Sequence, residues 1–327
     1  MIGFSIIRVI KGIFCMLVFG RSVLAFLIGI TLSLLTGCGT SQPLLKIPDA
    51  EPSTHYLYRA PAPRVVLVLS SGGARGFAHA GVIQALEKHH IPIDMIIGTS
   101  AGSIVGALYA DNPSASALKS LLLKTPRSQV IDFSIANLLN GPITGNGLQR
   151  FIINNIRAHS FNELKIPFIA VATDLNTGQA HAFGSGPIAP AVNASSAMPL
   201  FFPPVKLYGE TYVDGGVSDP VAVDVAKRFH PKIIIAVNLN FVLPSILPAN
   251  GPGTLLRSFN IMLLHQQNQS AKHADILIEP SPPNDIGMFD GSKRELLIQS
   301  GEQAAEKAMP AIKALLLKRG VSAQEKT

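Results

Sequence analysis

The chain has 327 residues, of which 47% are hydrophobic and 14% are charged, and its formal net charge at pH 7 is +7. This length and apolar content exclude a largely disordered protein and predict a large α/β core in one or two domains. The positive charge is not gathered in long basic runs, so nucleic-acid binding has little support.

The chain begins with a predicted targeting segment. Residues 1–37 are interpreted as a lipoprotein signal peptide, because a charge-free apolar run over 23–35 follows basic residues and leads to Cys38. Leu-Thr-Gly-Cys at 35–38 resembles the lipobox of bacterial lipoproteins, which implies that Cys38 carries the lipid. Gly39 then implies the outer membrane, facing the periplasm, since aspartate there favours inner-membrane retention. A plain signal peptide or an uncleaved anchor is the alternative, and a start at Met16 would shorten the leader.

A flexible tether is predicted over 38–63, where Ser, Pro and Thr are frequent and no helical or strand period occurs. Residues 64–280 form the main predicted domain, and 281–327 form a helical extension of it. The two cysteines are Cys15, in the leader, and Cys38, so the mature domain has neither a disulfide nor a cysteine metal site.

Continuous runs of Val, Ile and Leu predict strands buried on both faces, and apolar residues every three or four positions predict helices. The predicted strands are 64–70, 93–97, 167–173, 179–183, a short strand after a turn within 207–213, 232–239 and 275–279. The predicted helices are 77–90, 101–110, 112–123, 148–157, 188–197, 221–229, 254–272 and 292–318, the last either continuous or broken near Pro310. This alternation predicts an α/β fold with a mainly parallel sheet.

A serine between two glycines, GTSAG at 98–102, follows the second predicted strand. Because Gly98 and Gly102 have no Cβ, the chain can turn sharply from strand to helix and hold Ser100 in an exposed, strained position. A helix N-terminus suits an oxygen that must carry negative charge. Ser100 is therefore the candidate nucleophile, although this spacing also occurs in ordinary turns.

A glycine-rich loop, SGGARG at 71–76, follows the first predicted strand and opens a helix. Its backbone N–H groups could hold an oxyanion or a phosphate. Both loops come at the carboxyl ends of strands, which is the edge where sites form in parallel sheets. A dinucleotide site with Asp94 on the ribose is the competing interpretation, but the loop lacks the G-x-G-x-x-G order.

Two alternatives stay open for the general base. Asp214 is followed by Gly215 and Gly216, and this pair allows a tight turn that brings the carboxylate to another loop, although Asp-Gly is also a plain turn signal.

The other alternative is a histidine. His265 or His273 would complete the chain order Ser, Asp, His that α/β hydrolases use, but both lie in or after an amphipathic segment where solvated histidine is the default. His79 lies closer to the glycine loop and is better placed to contact the site, but a structural role fits its position at least as well.

Five motifs occur in an order typical of one family. They are SGGARG at 71–76, GTSAG at 98–102, ATDLNTG at 172–178, ASSAMP at 194–199 and DGG at 214–216. Together they resemble the patatin-like phospholipases, over about residues 64–278. The resemblance implies a three-layer sandwich in which helices flank the central sheet, and a catalytic domain over 64–280.

The resemblance also implies a chemistry. Ser100 would be the nucleophile and Asp214 the base of a dyad without histidine. No cofactor is expected, and no metal either, because the aspartates and histidines show no ligand spacing. The residues implied for the oxyanion hole are Gly72, Gly73, Ala74, Arg75 and Gly76. The expected function is hydrolysis of lipid acyl esters, of phospholipase A or lysophospholipase type, with a lipid or ester as substrate and the membrane reached through the lipid anchor. A low-turnover lipid-binding or regulatory protein is the alternative, and the oligomeric state is left open.

Three features bear on this resemblance. Ser71 stands where the family usually has a third glycine, which would cost about 1 kcal/mol if the position needs positive φ. Asp219 stands where asparagine is frequent. An apolar segment after the ASSAMP motif could line an acyl-chain groove or belong to the core, and its candidate residues are Leu200, Phe201, Phe202 and Val205.

Overall fold

The computed structural model describes residues 44–45, 47–53, 61–134, 141–239, 243, 250–281 and 286–322. The predicted signal peptide, Cys38 and most of the predicted tether lie outside these ranges, and those assignments stay predictions. Within the described ranges, no helix combines the length and apolar character needed to cross a membrane.

A single sheet organises the described residues. Its strands are β1 (Val65–Leu69), β2 (Met95–Thr99), β3 (Phe168–Asp174), β4 (Ala180–Phe183), β5 (Val205–Leu207), β6 (Glu210–Asp214), β7 (Ile233–Val237) and β8 (Ile276–Ile278). Their order is β5-β6-β3-β2-β1-β7-β8, with β4 paired to β3. Strands β3, β2, β1, β7 and β8 are parallel, whereas β4 and β6 run antiparallel to β3 and β5 runs antiparallel to β6. The sheet is therefore mainly parallel, as predicted.

Helices occupy the connections between the strands. They are α1 (Phe77–Lys88), α2 (Ala101–Asp111), α3 (Ala115–Lys124), α4 (Arg127–Val130), α5 (Asn146–Asn155), α6 (Ile188–Ser195), α7 (Val223–Lys227), α8 (Gly251–Ser270) and α9 (Arg294–Lys318). Short 3-10 turns lie at Gly73–Gly76 and Gly215–Val217, directly after β1 and β6.

The two faces of β1 show why the structure has three layers. Val65, Leu67 and Leu69 point into one core with residues of α1, α2, α3 and α9. Val66 and Val68 point into a second core with residues of α7. A strand covered on both faces must be apolar throughout, which explains its unbroken Val and Leu run. The predicted fold, with helices on both faces of a central sheet, is confirmed.

Helix α9 is one continuous helix with Pro310 inside it, so the predicted alternative of a break there is wrong. Met309 and Ile312 on either side are buried, and this packing keeps the helix together across the proline. Helix α9 also lies unusually close to α1. A Cβ placed on Gly81 would lie 1.8 Å from the carbonyl oxygen of Ile298, and only glycine permits this approach.

Candidate active site

The predicted elbow lies at the carboxyl end of β2, where Ser100 precedes α2 with φ 54° and ψ −119°. Such a backbone is strained for any residue other than glycine. A Cβ placed on Gly98 would lie 2.4 Å from the carbonyl oxygen of Gly102, and one on Gly102 would lie 2.1 Å from that of Leu69. Neither position accepts a side chain, so the two glycines allow the turn that exposes Ser100 to the site.

Three hydrogen bonds hold this elbow in place. The Ser100 N–H donates to the Ser195 hydroxyl at 3.0 Å, and that hydroxyl donates to the carbonyl of Val171 at 2.6 Å. The Ser103 hydroxyl donates to the carbonyl of Ser100 at 2.7 Å. Sequence reasoning quoted Ser195 as part of a motif but gave it no role. Its hydroxyl connects the elbow to α6 and to β3, and so supports the strained backbone.

The structure brings Asp214 directly to Ser100. Asp214 ends β6, and its Oδ2 accepts a hydrogen bond from Ser100 Oγ at 2.6 Å. Its Oδ1 accepts one from the Gly216 N–H at 2.7 Å, and Gly215 lies against the Val171 carbonyl. The carboxyl is buried, and this desolvation raises the pKa of Asp214 to about 6. The two predicted residues therefore form a hydrogen-bonded pair in which one group can exchange a proton near neutral pH.

The histidines of the alternative triad lie elsewhere. His265 is exposed on α8, and His273 is exposed with Nδ1 3.6 Å from Asp224. His79 is fully buried in α1 with Nε2 2.9 Å from the carbonyl oxygen of Ser70, and burial lowers its pKa to about 4. His79 is therefore neutral at pH 7 and supports the start of the glycine loop. Among the described residues, no imidazole contacts Asp214.

The glycine loop lies beside the elbow. Gly72 precedes the 3-10 turn that begins at Gly73, and Gly76 at its end packs against Ala101, the first residue of α2. Gly73 has a φ of +55°, whereas Ser71 does not adopt a left-handed backbone. The serine in place of a third glycine therefore carries no strain of that kind, and the expected cost does not arise.

A segment over 286–291 covers this loop. The Ala74 N–H donates to the carbonyl of Met288 at 2.7 Å, and the Arg75 side chain donates to the carbonyl of Ile286 at 3.2 Å. A Cβ placed on Gly73 would lie 2.6 Å from the same Met288 oxygen, so three of the five residues predicted for the oxyanion hole lie against this segment. The Phe289 ring packs edge-on against Phe201, with ring centroids 5.0 Å apart.

A direct comparison with protein families identifies the domain that contains these residues. Residues 67–227 match the family model described as "Patatin-like phospholipase". The chain carries a patatin-like phospholipase domain. The match includes all five sequence motifs and both members of the Ser100–Asp214 pair.

Several known proteins are similar to this patatin domain. An uncharacterized NTE family protein of Mycobacterium bovis is 37% identical over 188 residues, which are 55% of this chain and 50% of that protein. Human patatin-like phospholipase domain-containing protein 6 is 32% identical over 181 residues, 54% of this chain and 13% of that protein. The similarity thus spans half or less of these relatives. The crystal structure of VipD from Legionella pneumophila shares the fold, with a TM-score of 0.51 at 14% identity over 84% of this chain and 71% of that one.

A cavity of about 430 Å³ opens beside Ser100 and Asp214, and its lining includes residues after the end of the family match. Most of its lining is apolar, and includes Phe77, Ile104, Leu122, Val130, Ile131, Leu148, Phe151, Met198, Phe201, Phe202, Leu256, Phe259, Leu263, Met288 and Phe289. Of the predicted groove residues, Phe201 and Phe202 line this cavity. Val205 is instead buried in β5, and Leu200 is 54% exposed. The cavity has the size and apolar lining for an extended apolar chain, and the Ser100–Asp214 pair lies at its polar end.

The competing dinucleotide interpretation does not fit the patatin domain. Asp94 precedes β2, at the sheet edge opposite the glycine loop. Its carboxylate forms an ion pair with Arg64 at 2.7 Å and accepts the Val65 N–H at 2.9 Å, which fixes the start of β1. Among the described residues, no group of three or more His, Cys, Asp or Glu side chains is arranged to hold a metal ion.

Proposed function

We propose that this chain is a serine acyl-ester hydrolase that acts on lipids, of phospholipase A or lysophospholipase type. The observation that carries the proposal is the 2.6 Å hydrogen bond from Ser100 Oγ to Asp214 Oδ2 at the polar end of an apolar cavity. The patatin-like phospholipase match supports the same reaction class. An ester carbonyl beside Ser100 would leave its acyl chain in contact with the cavity lining.

The first half of the reaction transfers the acyl group to the enzyme. Asp214 accepts the Ser100 hydroxyl proton as Oγ attacks the ester carbonyl carbon, and the carbonyl electrons move to its oxygen. The tetrahedral intermediate collapses, the carbon–oxygen bond to the alcohol breaks, and the departing alcohol takes the proton from Asp214. The acyl group is then esterified to Ser100.

The second half restores the enzyme with water. A water molecule gives a proton to Asp214 as its oxygen attacks the acyl carbonyl. Collapse of the second intermediate releases the carboxylic acid, and the Ser100 oxygen takes the proton back from Asp214. Asp214 therefore acts as base and then acid in each half, which requires a pKa near the working pH.

The glycine loop is the source of oxyanion donors in this mechanism. Gly73 is the first residue of its 3-10 turn, so its N–H has no acceptor within that turn. Removing one such donor typically lowers kcat by roughly 10²–10³-fold. The Ala74 N–H can contribute only after it leaves the carbonyl of Met288.

That contact favours a second candidate, a low-turnover lipid-binding or regulatory protein. With the Met288 carbonyl on the Ala74 N–H, the loop has one donor fewer for an oxyanion, while the apolar cavity stays available to a lipid. In either case we propose a lipid-anchored location in the cell envelope through Cys38.

The test is a pair of variants, Ser100→Ala and Asp214→Asn, assayed on short p-nitrophenyl esters and on phospholipids. We expect both to lose at least about 10³-fold in kcat/KM, and His265→Ala and His273→Ala to keep wild-type rates. Wild-type rates in Asp214→Asn would contradict the dyad, and loss of activity in either histidine variant would assign the base to that histidine. Labelling by a fluorophosphonate separates the two candidates, since a Ser100 that neither reacts nor turns over substrate identifies the binding protein.

A further inference from the structure

Helix α8 is only loosely packed against the protein. Gln267 is the one residue among its 20 that is buried. The Gln266 side chain attaches the helix to the dyad region by donating to the carbonyl of Ser218 at 2.6 Å. Leu256, Phe259 and Leu263 on one side of the helix line the cavity, so α8 forms part of the cavity wall.

Next to this cavity-lining side, and further round the helix at Ile261, α8 presents large apolar side chains to solvent. Leu255 is 57% exposed, Ile261 is 47% exposed and Met262 is 69% exposed. Leu255 and Met262 are two helical turns apart, so they share one stripe of the helix. We call these three residues the α8 surface. Several large apolar side chains exposed beside a cavity indicate an interaction site.

Other exposed apolar residues lie around the same cavity. Val217 is 39% exposed and also lines it. Leu200, 54% exposed, precedes the cavity-lining Phe201. Phe133, 67% exposed, pairs with Ile143, whose N–H donates to the carbonyl of Phe201. The apolar surface is therefore not confined to the helix.

The charges near this surface favour one kind of partner. Helix α8 contains no Asp or Glu, and its one Lys or Arg is Arg257. Arg127 is exposed and lines the cavity as well. Apolar side chains bordered by basic ones are the combination that binds the interface of a membrane containing anionic lipids.

We propose that the α8 surface docks on a phospholipid membrane with the cavity opening towards the bilayer, so that an acyl chain passes from the leaflet into the cavity without crossing water. The link to substrate entry rests on the proposed function, whereas the docking itself does not.

The docking is tested with the full chain carrying Ser100→Ala, so that lipid is not hydrolysed, and with Cys15→Ser and Cys38→Ser, so that one position is labelled. An environment-sensitive fluorophore is attached at Met262→Cys or, as a matched control, at Leu317→Cys. Leu317 is 84% exposed on α9 and does not line the cavity. The vesicles contain phosphatidylethanolamine and phosphatidylglycerol, with and without a quencher on the acyl chains.

On vesicles, we expect the emission at position 262 to shift to the blue and to be quenched from within the bilayer, while position 317 stays unchanged. No change at 262, or equal changes at both positions, overturns the proposal, because the chain is then bound through another part or not at all. A blue shift at 262 without vesicles, together with a dimer in light scattering, also overturns it and identifies a second copy as the occupant.

A kinetic comparison tests whether the docking serves catalysis. In the otherwise unchanged chain, Met262→Lys should lower the ratio of vesicle phospholipid hydrolysis to short-ester hydrolysis about tenfold. The reason is that a charge replaces an apolar side chain that the membrane would otherwise bury. Leu317→Lys should leave this ratio unchanged. An unaltered ratio in Met262→Lys overturns the link to substrate entry. If neither substrate is hydrolysed, the proposed function fails and the fluorophore result still decides the docking.

Discussion

The two ends of the cavity are built by different means. At the polar end, Ser100 and Asp214 are buried. The backbone on either side of Ser100 lies so close to neighbouring carbonyl oxygens that a Cβ would not fit at Gly98 or Gly102. At the apolar wall, α8 has one buried residue and exposes several large side chains. The Ser100 elbow is thus held by close backbone packing and buried hydrogen bonds, while α8 forms its part of the apolar wall with side chains that are only partly buried.

This difference has a physical reason. Acyl transfer requires the nucleophile, base and oxyanion donors to be aligned closely, and misplacement by about 1 Å costs on the order of 10²-fold in rate. An acyl chain, by contrast, needs only apolar area and room. We therefore expect substitutions at the polar end to alter folding and rate, and substitutions at the wall to alter substrate preference.

The largest effect is expected for Gly102→Ala. The new Cβ would lie 2.1 Å from the carbonyl oxygen of Leu69 and cannot be accommodated without moving β1 or α2. We expect the free energy of unfolding to fall by more than about 4 kcal/mol, measured by denaturant unfolding. Gly251→Ala is the matched control, because no atom lies within 4 Å of a Cβ placed there. A stable Gly102→Ala protein would contradict the tight backbone contact.

The pH dependence of hydrolysis should report Asp214. Because its pKa is raised to about 6 by burial, the carboxylate needed as base is lost below that pH. We expect kcat/KM on a soluble short ester to fall about tenfold per pH unit below pH 6. Asp219 also has a pKa raised to about 6 by burial but is not bonded to Ser100, so Asp219→Asn should keep this limb. If Asp219→Asn removed the fall in kcat/KM below pH 6, that fall would report Asp219 and not Asp214.

The same buried carboxylate should lower stability at neutral pH. Its folded pKa of about 6 exceeds the ordinary value of 3.8 for an aspartic acid, so protonation favours the folded state, and this stability is lost as the pH rises through 6. Asp214→Asn should therefore raise the free energy of unfolding at pH 8, by up to about 3 kcal/mol, and change it little below pH 4.

A carboxylate whose pKa is lowered, and not raised, provides the control for this effect on stability. The backbone N–H of Asn176 lowers the pKa of Asp174, so Asp174→Asn should lower stability at pH 8. Denaturant unfolding at both pH values measures the two variants. Equal effects of Asp214→Asn at pH 8 and pH 4 would show that the gain does not come from its charge.

The smallest expected effect is on the preference for acyl-chain length. Ile104 on α2 is half-buried and lines the cavity, so Ile104→Phe should shorten it. We expect kcat/KM for long p-nitrophenyl esters to fall about tenfold relative to short ones. Ile153→Phe, at a half-buried isoleucine on α5 that does not line the cavity, should leave the preference unchanged. Equal loss for all chain lengths would place the acyl chain elsewhere.

The sequence predicted the parts that depend on local pattern. Unbroken apolar runs, of Val and Leu in β1 and mainly of Ile in β7, located these strands, and the glycine spacing located the elbow at Ser100. It did not predict α4 or β5, because four and three residues are too few to show a period. Nor could it predict the bond between Ser100 and Ser195, which are 95 positions apart, or the contact of Ala74 with Met288. These depend on how the sheet brings distant loops together.

The position of β1 in the sheet has a consequence for any shortened form of the protein. Strand β1 lies between β2 and β7, and β7 comes after the last residue of the family match at 227. A fragment ending there would turn the central strand into a bare edge with unpaired N–H and C=O groups, and would also lack α9 over α1. Such edges recruit other chains, so the matched stretch alone should aggregate rather than fold. The recognisable motif region is thus smaller than the cooperative folding unit.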